Sequence, residues 1–431
     1  MKKLSLFAIC MLGIMLVVSP LMAADLEIGG SCEANGFYMN NTDLDDDTGA
    51  SDAFMDMKLS LDMIFKVTDK LKLVTAADML EDTVWGQDPD PACGIAWKKA
   101  YIAAKFDYFN LHVGRMGRGI WGPDFGNIDV EADKIKVFKK IGNFKITAAY
   151  TKHKECDKGE QPDEVTGNPL WWSDSDKDTY GVNVKYASEK YNAGFKVRYL
   201  RDMSNSDANP YTDTADLYKY SDVLVTPYLV GSFGPVDIEA EIAYKHGEQD
   251  FYNKQDVDKR AWEYYVNAAF NAGPVNLSAG YAFVEGNDVN DTSENSAFGY
   301  CTEFQPLIIL FNDKVGGDLG GLGNLNKDGA YSKEIKNAGY KLLYATASFS
   351  PVENVTLNAA IGTATADEQK PGWDDDYGVE YNLGVEVGLM DNLTYSATFG
   401  YLSAGDFWKQ GPAGKEVDNT YAFMHSLVVE F

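Results

Sequence analysis

"FMDMKLSLDMIFKV", residues Phe54–Val67, alternates with a period of two, with Ile64 as the one apolar residue among the intervening polar ones. Met55, Met57, Leu59, Leu61, Met63, Phe65 and Val67 hold the odd places, while Asp56, Lys58, Ser60, Asp62 and Lys66 lie between them. A period of two sends successive side chains to opposite faces, so this is one strand with a continuous apolar face and a charged face. Thr68, Asp69 and Lys70 make a short turn, and Leu71, Leu73, Thr75, Ala77 and Met79 begin the next strand.

The unit recurs. "GPVDIEAEIAY" sets Val236, Ile238, Ala240, Ile242 and Tyr244 against Asp237, Glu239 and Glu241, and "YGVNVKY" sets Val182 and Val184 against Asn183 and Lys185. The alternation runs to the last residue, where Phe423, His425, Leu427, Val429 and Phe431 face one way. Chain ends usually fray and are polar, so an aromatic terminus on an apolar face is structural. One set of connections is tight, as in "KVTDKL", "SFGPVD", "NAGPVN" and "LMDNLT". The other set is long and acidic: 41–51, 81–96, 117–133, 155–178, 202–220, 246–258, 285–337, 367–375 and 405–417. Short turns at one end and long loops at the other are the layout of an all-β transmembrane antiparallel barrel. Counting between connections gives about 18 strands, with 16 also within reach. "PLIILF" (Pro306–Phe311), inside the longest loop, reads either as a further strand or as a segment folded inward.

A soluble sandwich also alternates, with its apolar face inward. Here the polar face includes Gly181, Gly280, Gly362, Gly384, Gly388 and Gly400 beside charged residues. Aromatics gather near strand ends, among them Tyr101, Tyr180, Tyr186, Tyr264, Phe270, Tyr377 and Tyr381, as interfacial girdles require.

The N-terminus reads as a secretory signal peptide, residues 1–23: Lys2 and Lys3, an apolar core, then Ala23 and Ala24. Residues 24–431 form one barrel domain. The formal charge of −27 becomes −29 without Lys2 and Lys3, which excludes a nucleic-acid partner. Cys32, Cys93, Cys156 and Cys301 allow three pairings, and the sequence does not choose among them. Four histidines occur without G-x-S-x-G or H-E-x-x-H, so no enzymatic activity is expected. No cofactor is expected either. "TDLDDDTG" (Thr42–Gly49) and "GWDDDYG" (Gly372–Gly378) hold enough carboxylates for Ca²⁺ or for divalent bridging to lipopolysaccharide, yet neither has EF-hand spacing and both read first as solvated loops.

"YAFMHSLVVEF" (Tyr421–Phe431) resembles the C-terminal signature of Gram-negative outer-membrane barrels: Phe423, Leu427, Val429 and Phe431 match, and His425 departs. The mature chain as a whole resembles outer-membrane porins. The resemblance implies a homotrimer in lipid and lipopolysaccharide, inserted by the barrel-assembly machinery through that terminal strand. It also implies a water-filled channel for passive diffusion of small hydrophilic solutes and ions. In general porins the third loop folds into the lumen and often carries P-E-F-G-G; here Pro123, Asp124, Phe125, Gly126 and Asn127 stand in "GRGIWGPDFGNIDVEAD" (117–133). The expected constriction is Arg115, Arg118, Trp121, Asp124, Phe125, Asp129 and Glu131, and the expected lining includes Lys58, Lys196 and Arg198. Arg115 shares the parity of Leu111 and Val113, so either a bulge at Gly114 re-aims it or it lies at the rim. The net acidity predicts a weak cation preference. The alternative is a non-conducting surface or scaffold barrel, an adhesin or a partner-binding shell.

Overall fold

The computed structural model describes residues 25–45, 47–87, 94–117, 119–128, 130–156, 176–204, 217–251, 254–298, 303–319, 325, 337–411, 414 and 416–431. The expected signal peptide, Arg118, Asp129, Cys93 and Cys301 lie outside these residues.

Strands β1 (Asp25–Asn40), β2 (Ser51–Thr68), β3 (Leu71–Val84), β4 (Ile95–Lys105) and β5 (Asn110–Gly117) precede the third long loop. It is followed by β6 (Glu131–Ile141), β7 (Phe144–Lys154), β8 (Lys177–Ala187), β9 (Tyr191–Asp202), β10 (Tyr218–Phe233), β11 (Val236–Phe251), β12 (Val257–Ala272) and β13 (Val275–Val284). A two-residue piece, β14 (Glu294–Asn295), runs parallel to the start of β12 and stands outside the ring. Then come β15 (Tyr340–Val352), β16 (Val355–Thr365), β17 (Asp376–Met390), β18 (Leu393–Ala404) and β19 (Thr420–Glu430). Apart from β14, each strand pairs antiparallel with its neighbours in sequence, β13 pairs with β15, and β1 pairs with β19. The result is a closed barrel of 18 strands.

Local chemistry makes the hairpins. In "SFGPVD" and "NAGPVN" the turn glycines, Gly234 and Gly273, sit at φ +69° and +65°, a region closed to most L-residues. The proline after each has no N–H to leave unpaired. Closure uses the last residue: the Phe431 N–H donates to Gly30 O at 3.0 Å, and the Gly30 N–H donates to Phe431 O at 2.9 Å. The terminal aromatic is thus one rung of the seam, as its alternation implied.

The two faces part as the period of two demands. Leu383, Leu343, Ile28 and Val182 point outward and are 65%, 57%, 57% and 55% exposed, members of an apolar band around the whole wall. Such a surface suits hydrocarbon rather than water. Tyr101 and Tyr377 depart from the expected girdles. Tyr101 faces inward by register with Gly114 and stacks on His112, and Tyr377 is fully buried with its hydroxyl donating to Gly339 O. The apolar core also lies inside the ring, on the arc from β13 through β19 to β1, where it includes Met39, Tyr340, Leu342 and Leu402.

The membrane-facing reading sets an expectation. Leu383→Arg should cost roughly 2–4 kcal/mol in urea-driven unfolding from lipid vesicles, whereas inward-facing Ser396→Arg on the next strand should cost far less. Equal costs at the two positions would contradict the assignment of faces.

Candidate pore and its inward loops

The third loop folds into the barrel and docks on the wall of β9–β12. Its turn, Asp124–Gly126, is a single turn of 3₁₀ helix. Asn127 ties it to itself: its Oδ1 accepts the Trp121 N–H at 2.9 Å, and its Nδ2 donates to Pro123 O at 2.9 Å. The Trp121 indole N–H donates to Thr226 O at 3.2 Å, and its ring meets Tyr228 edge-on at 5.0 Å. The ammonium groups of Lys185 and Lys196 lie 4.8 and 4.9 Å from the Trp121 ring centre, and Lys185 also donates to Ile120 O at 2.7 Å. Phe125 is fully buried and stacks on Tyr265 at 5.1 Å. Gly126 lies against the carboxylate of Glu241, and a side chain there would require that carboxylate or the turn to shift. Glu241 is buried, and neither of its oxygens accepts a hydrogen bond among the described residues.

A second inward segment comes from the longest loop. Phe304, Leu307, Ile309, Leu310, Phe311, Val315 and Leu319 are buried against the inner wall from β13 to β1. "PLIILF" is therefore the inward-folded segment of the two readings, and no ladder takes it up as a strand. It meets the third loop where Phe304 packs edge-on to Phe125 at 5.3 Å. The expected channel is water-filled, whereas this arc of the interior is apolar and filled.

The remaining arc is different. By register the inner face of β5 carries Asn110, His112, Gly114 and Met116, and that of β6 carries Ala132, Lys134, Lys136, Phe138 and Lys140. On β7 it carries Lys145, Thr147, Ala149 and Thr151, and on β8 Thr179, Gly181, Asn183 and Lys185. No acidic residue stands among them. Lys145 lies 4.5 Å and Lys136 5.8 Å from the ring centre of Phe138, which also meets His112 edge-on. On β1–β4, by contrast, inner lysines are matched by acids, as where Lys58 meets Asp78 at 3.2 Å and Lys98 meets Glu81 at 2.8 Å.

Of the residues expected at the constriction, Trp121 and Phe125 are inside as anchors, and Asp124 is exposed on the inward turn. Arg115 is a correction. Register keeps it on the outer face opposite Asp133, and its guanidinium contacts Asp133 Oδ1 at 3.6 Å and donates to Trp97 O at 3.1 Å. Gly114 makes no bulge, because pairing on both sides runs through it unshifted. Glu131 shares the outward parity of Asp133 and so leaves the constriction as well. Lys58, Lys196 and Arg198 do face inward, and Arg198 is bonded to Asp222 at 2.9 Å. The lysines of β6–β8 were overlooked, although each sits on the polar side of its alternation. The acidic loops cap themselves: Asp43 takes the Thr48 hydroxyl, and Asp376 takes the Gly378 N–H.

No protein-family model matches the sequence, and no curated protein matches it. Solved structures do. The barrel is similar to OccK8 (OprE) of Pseudomonas aeruginosa, with a TM-score of 0.52 and 11% identity, covering 94% of this chain and 98% of that one. For OccK5 (OpdH) of the same organism the TM-score is 0.51 at 12% identity, over 94% and 98%. For a variant of OccD1 (OprD) it is 0.53 at 11%, over 94% and 95%. The likeness is one of fold: a closed antiparallel β-barrel.

Docking of the third loop is testable without any transport. Gly126→Val crowds the buried Glu241 carboxylate and should loosen the turn, so chymotrypsin should cut the folded variant after Trp121 or Phe125 while the parent stays whole at this loop. A variant as resistant as the parent would show that the loop does not rely on this contact.

Proposed function

We propose that this chain is an outer-membrane porin, a passive diffusion channel for small hydrophilic solutes that favours anions. The open passage runs along the inner wall of β5–β8, and the third loop narrows it. One observation carries this reading: the inner face of those four strands bears Lys134, Lys136, Lys140, Lys145 and Lys185 without a single carboxylate. Across from it stand exposed Asp124 and inward-facing Glu239. A basic wall facing an acidic one in a narrow, low-dielectric passage makes a transverse field that orients dipolar solutes and favours ions of one sign.

The preference is the reverse of what net charge predicts. The total of −27 counts the whole chain, and many of its acids lie in the long loops or are paired on β1–β4. An ion inside the barrel feels the nearest wall, because charges beyond about 10 Å are screened at ordinary ionic strength. In the same reading the apolar band takes lipid and lipopolysaccharide, and β19 is the strand recognised by the barrel-assembly machinery. Residues 1–23 leave on export, and three copies associate through the wall.

Planar bilayers under a salt gradient should give a reversal potential of the anion-selective sign. Lys136→Glu with Lys145→Glu should move it toward cations. A cation-selective parent, or a double variant with unchanged potential, would refute the charge reading. Liposomes carrying the protein should swell in small sugars; absence of swelling would favour the non-conducting scaffold barrel.

A further inference from the structure

We infer that the inward segment of the longest loop is a plug held in a dedicated receptor on the wall, and that Glu380, Asn382, Gly362 and Gly400 are the positioning residues that set the channel's size limit. This rests on the open-channel reading above.

The receptor is built from β16, β17 and β18. Glu380 is fully buried, and its two oxygens accept the successive backbone N–H groups of Ile309 and Leu310 at 2.8 and 2.9 Å. Asn382, two residues along the same inner face, accepts the Ile308 N–H at 3.1 Å and donates its amide to Glu380 Oε1 at 2.7 Å. Three consecutive N–H groups of the segment are thus taken by two side chains of one strand. A carboxylate out of water is costly unless its lone pairs are filled, and among the described residues the plug and Asn382 fill them. Without the plug, Glu380 faces the lumen and its water.

The flanking wall is hollowed to match. A Cβ on Gly362 would lie 2.7 Å from Leu307 Cδ1, and one on Gly400 would lie 2.7 Å from Ile308 Cγ1. Both glycines have ordinary strand conformations, so space, and not backbone freedom, is what they provide. A wall that merely bounded water needs neither the hollow nor the acid. With the plug seated, the arc from β13 to β1 is filled and solutes are confined to the lysine-lined side. Releasing it widens the bore.

Two substitutions act by separate routes. Glu380→Gln keeps the shape but turns one acceptor into a donor aimed at an N–H, and Gly400→Val fills the hollow. In the full-length folded protein, hydrogen exchange at the Ile309 and Leu310 amides should be slow and should quicken roughly tenfold or more in each variant, the equivalent of one charged hydrogen bond. Single-channel conductance and the largest sugar admitted should rise together. Wild-type amides that exchange as fast as exposed loop amides would overturn the receptor. Faster exchange with unchanged conductance and sugar limit would overturn the role in size selection. A parent that passes nothing while both variants conduct would refute the open channel and leave the plug standing.

Discussion

A backbone in hydrocarbon has no water to bond to, and every unpaired N–H or C=O there costs several kcal/mol. The rest of this structure depends on that constraint. It forces the ring to close, and it brings Phe431 back onto Gly30 in a reciprocal pair of hydrogen bonds. It makes a sheet of 18 hairpin strands, with no free edge, the economical shape for this chain. It also frees the outer face to be apolar everywhere, which a water-soluble sheet could not tolerate.

A ring of this size encloses more space than its own side chains fill, so the interior is shaped by what folds into it. The third and the longest loops both do so, by contrasting chemistry. The third loop is held by aromatic packing, two ammonium groups on one indole, and glycines pressed against a buried acid. The longest loop enters as aliphatic bulk, and its polar backbone is received by Glu380 and Asn382. The two meet at Phe125 and Phe304, so the packed part of the lumen is continuous. The lysine-rich arc of β5–β8 is the passage in the function proposed above.

Much was legible beforehand. A strict period of two decides which residues share a face, and that alone places Lys58, Lys196 and Arg198 inward and the C-terminal Phe423, Leu427, Val429 and Phe431 outward. Trp121 and Phe125 were expected in the third loop, and bulky aromatics there pack on the inner wall. Arg115 and Glu131 failed for the same reason that the others succeeded: unshifted pairing kept their parity outward, although nearness in sequence to the loop suggested a part in the pore.

The sequence by itself determined the barrel, its faces, its tight turns and its closing strand, because all of these follow from spacing between near neighbours along one strand. Only the tertiary structure decided where the two long loops go and which arc of the lumen they fill. Those choices rest on contacts between residues far apart in the chain, such as Ile309 with Glu380 or Phe125 with Tyr265, and no local period records them.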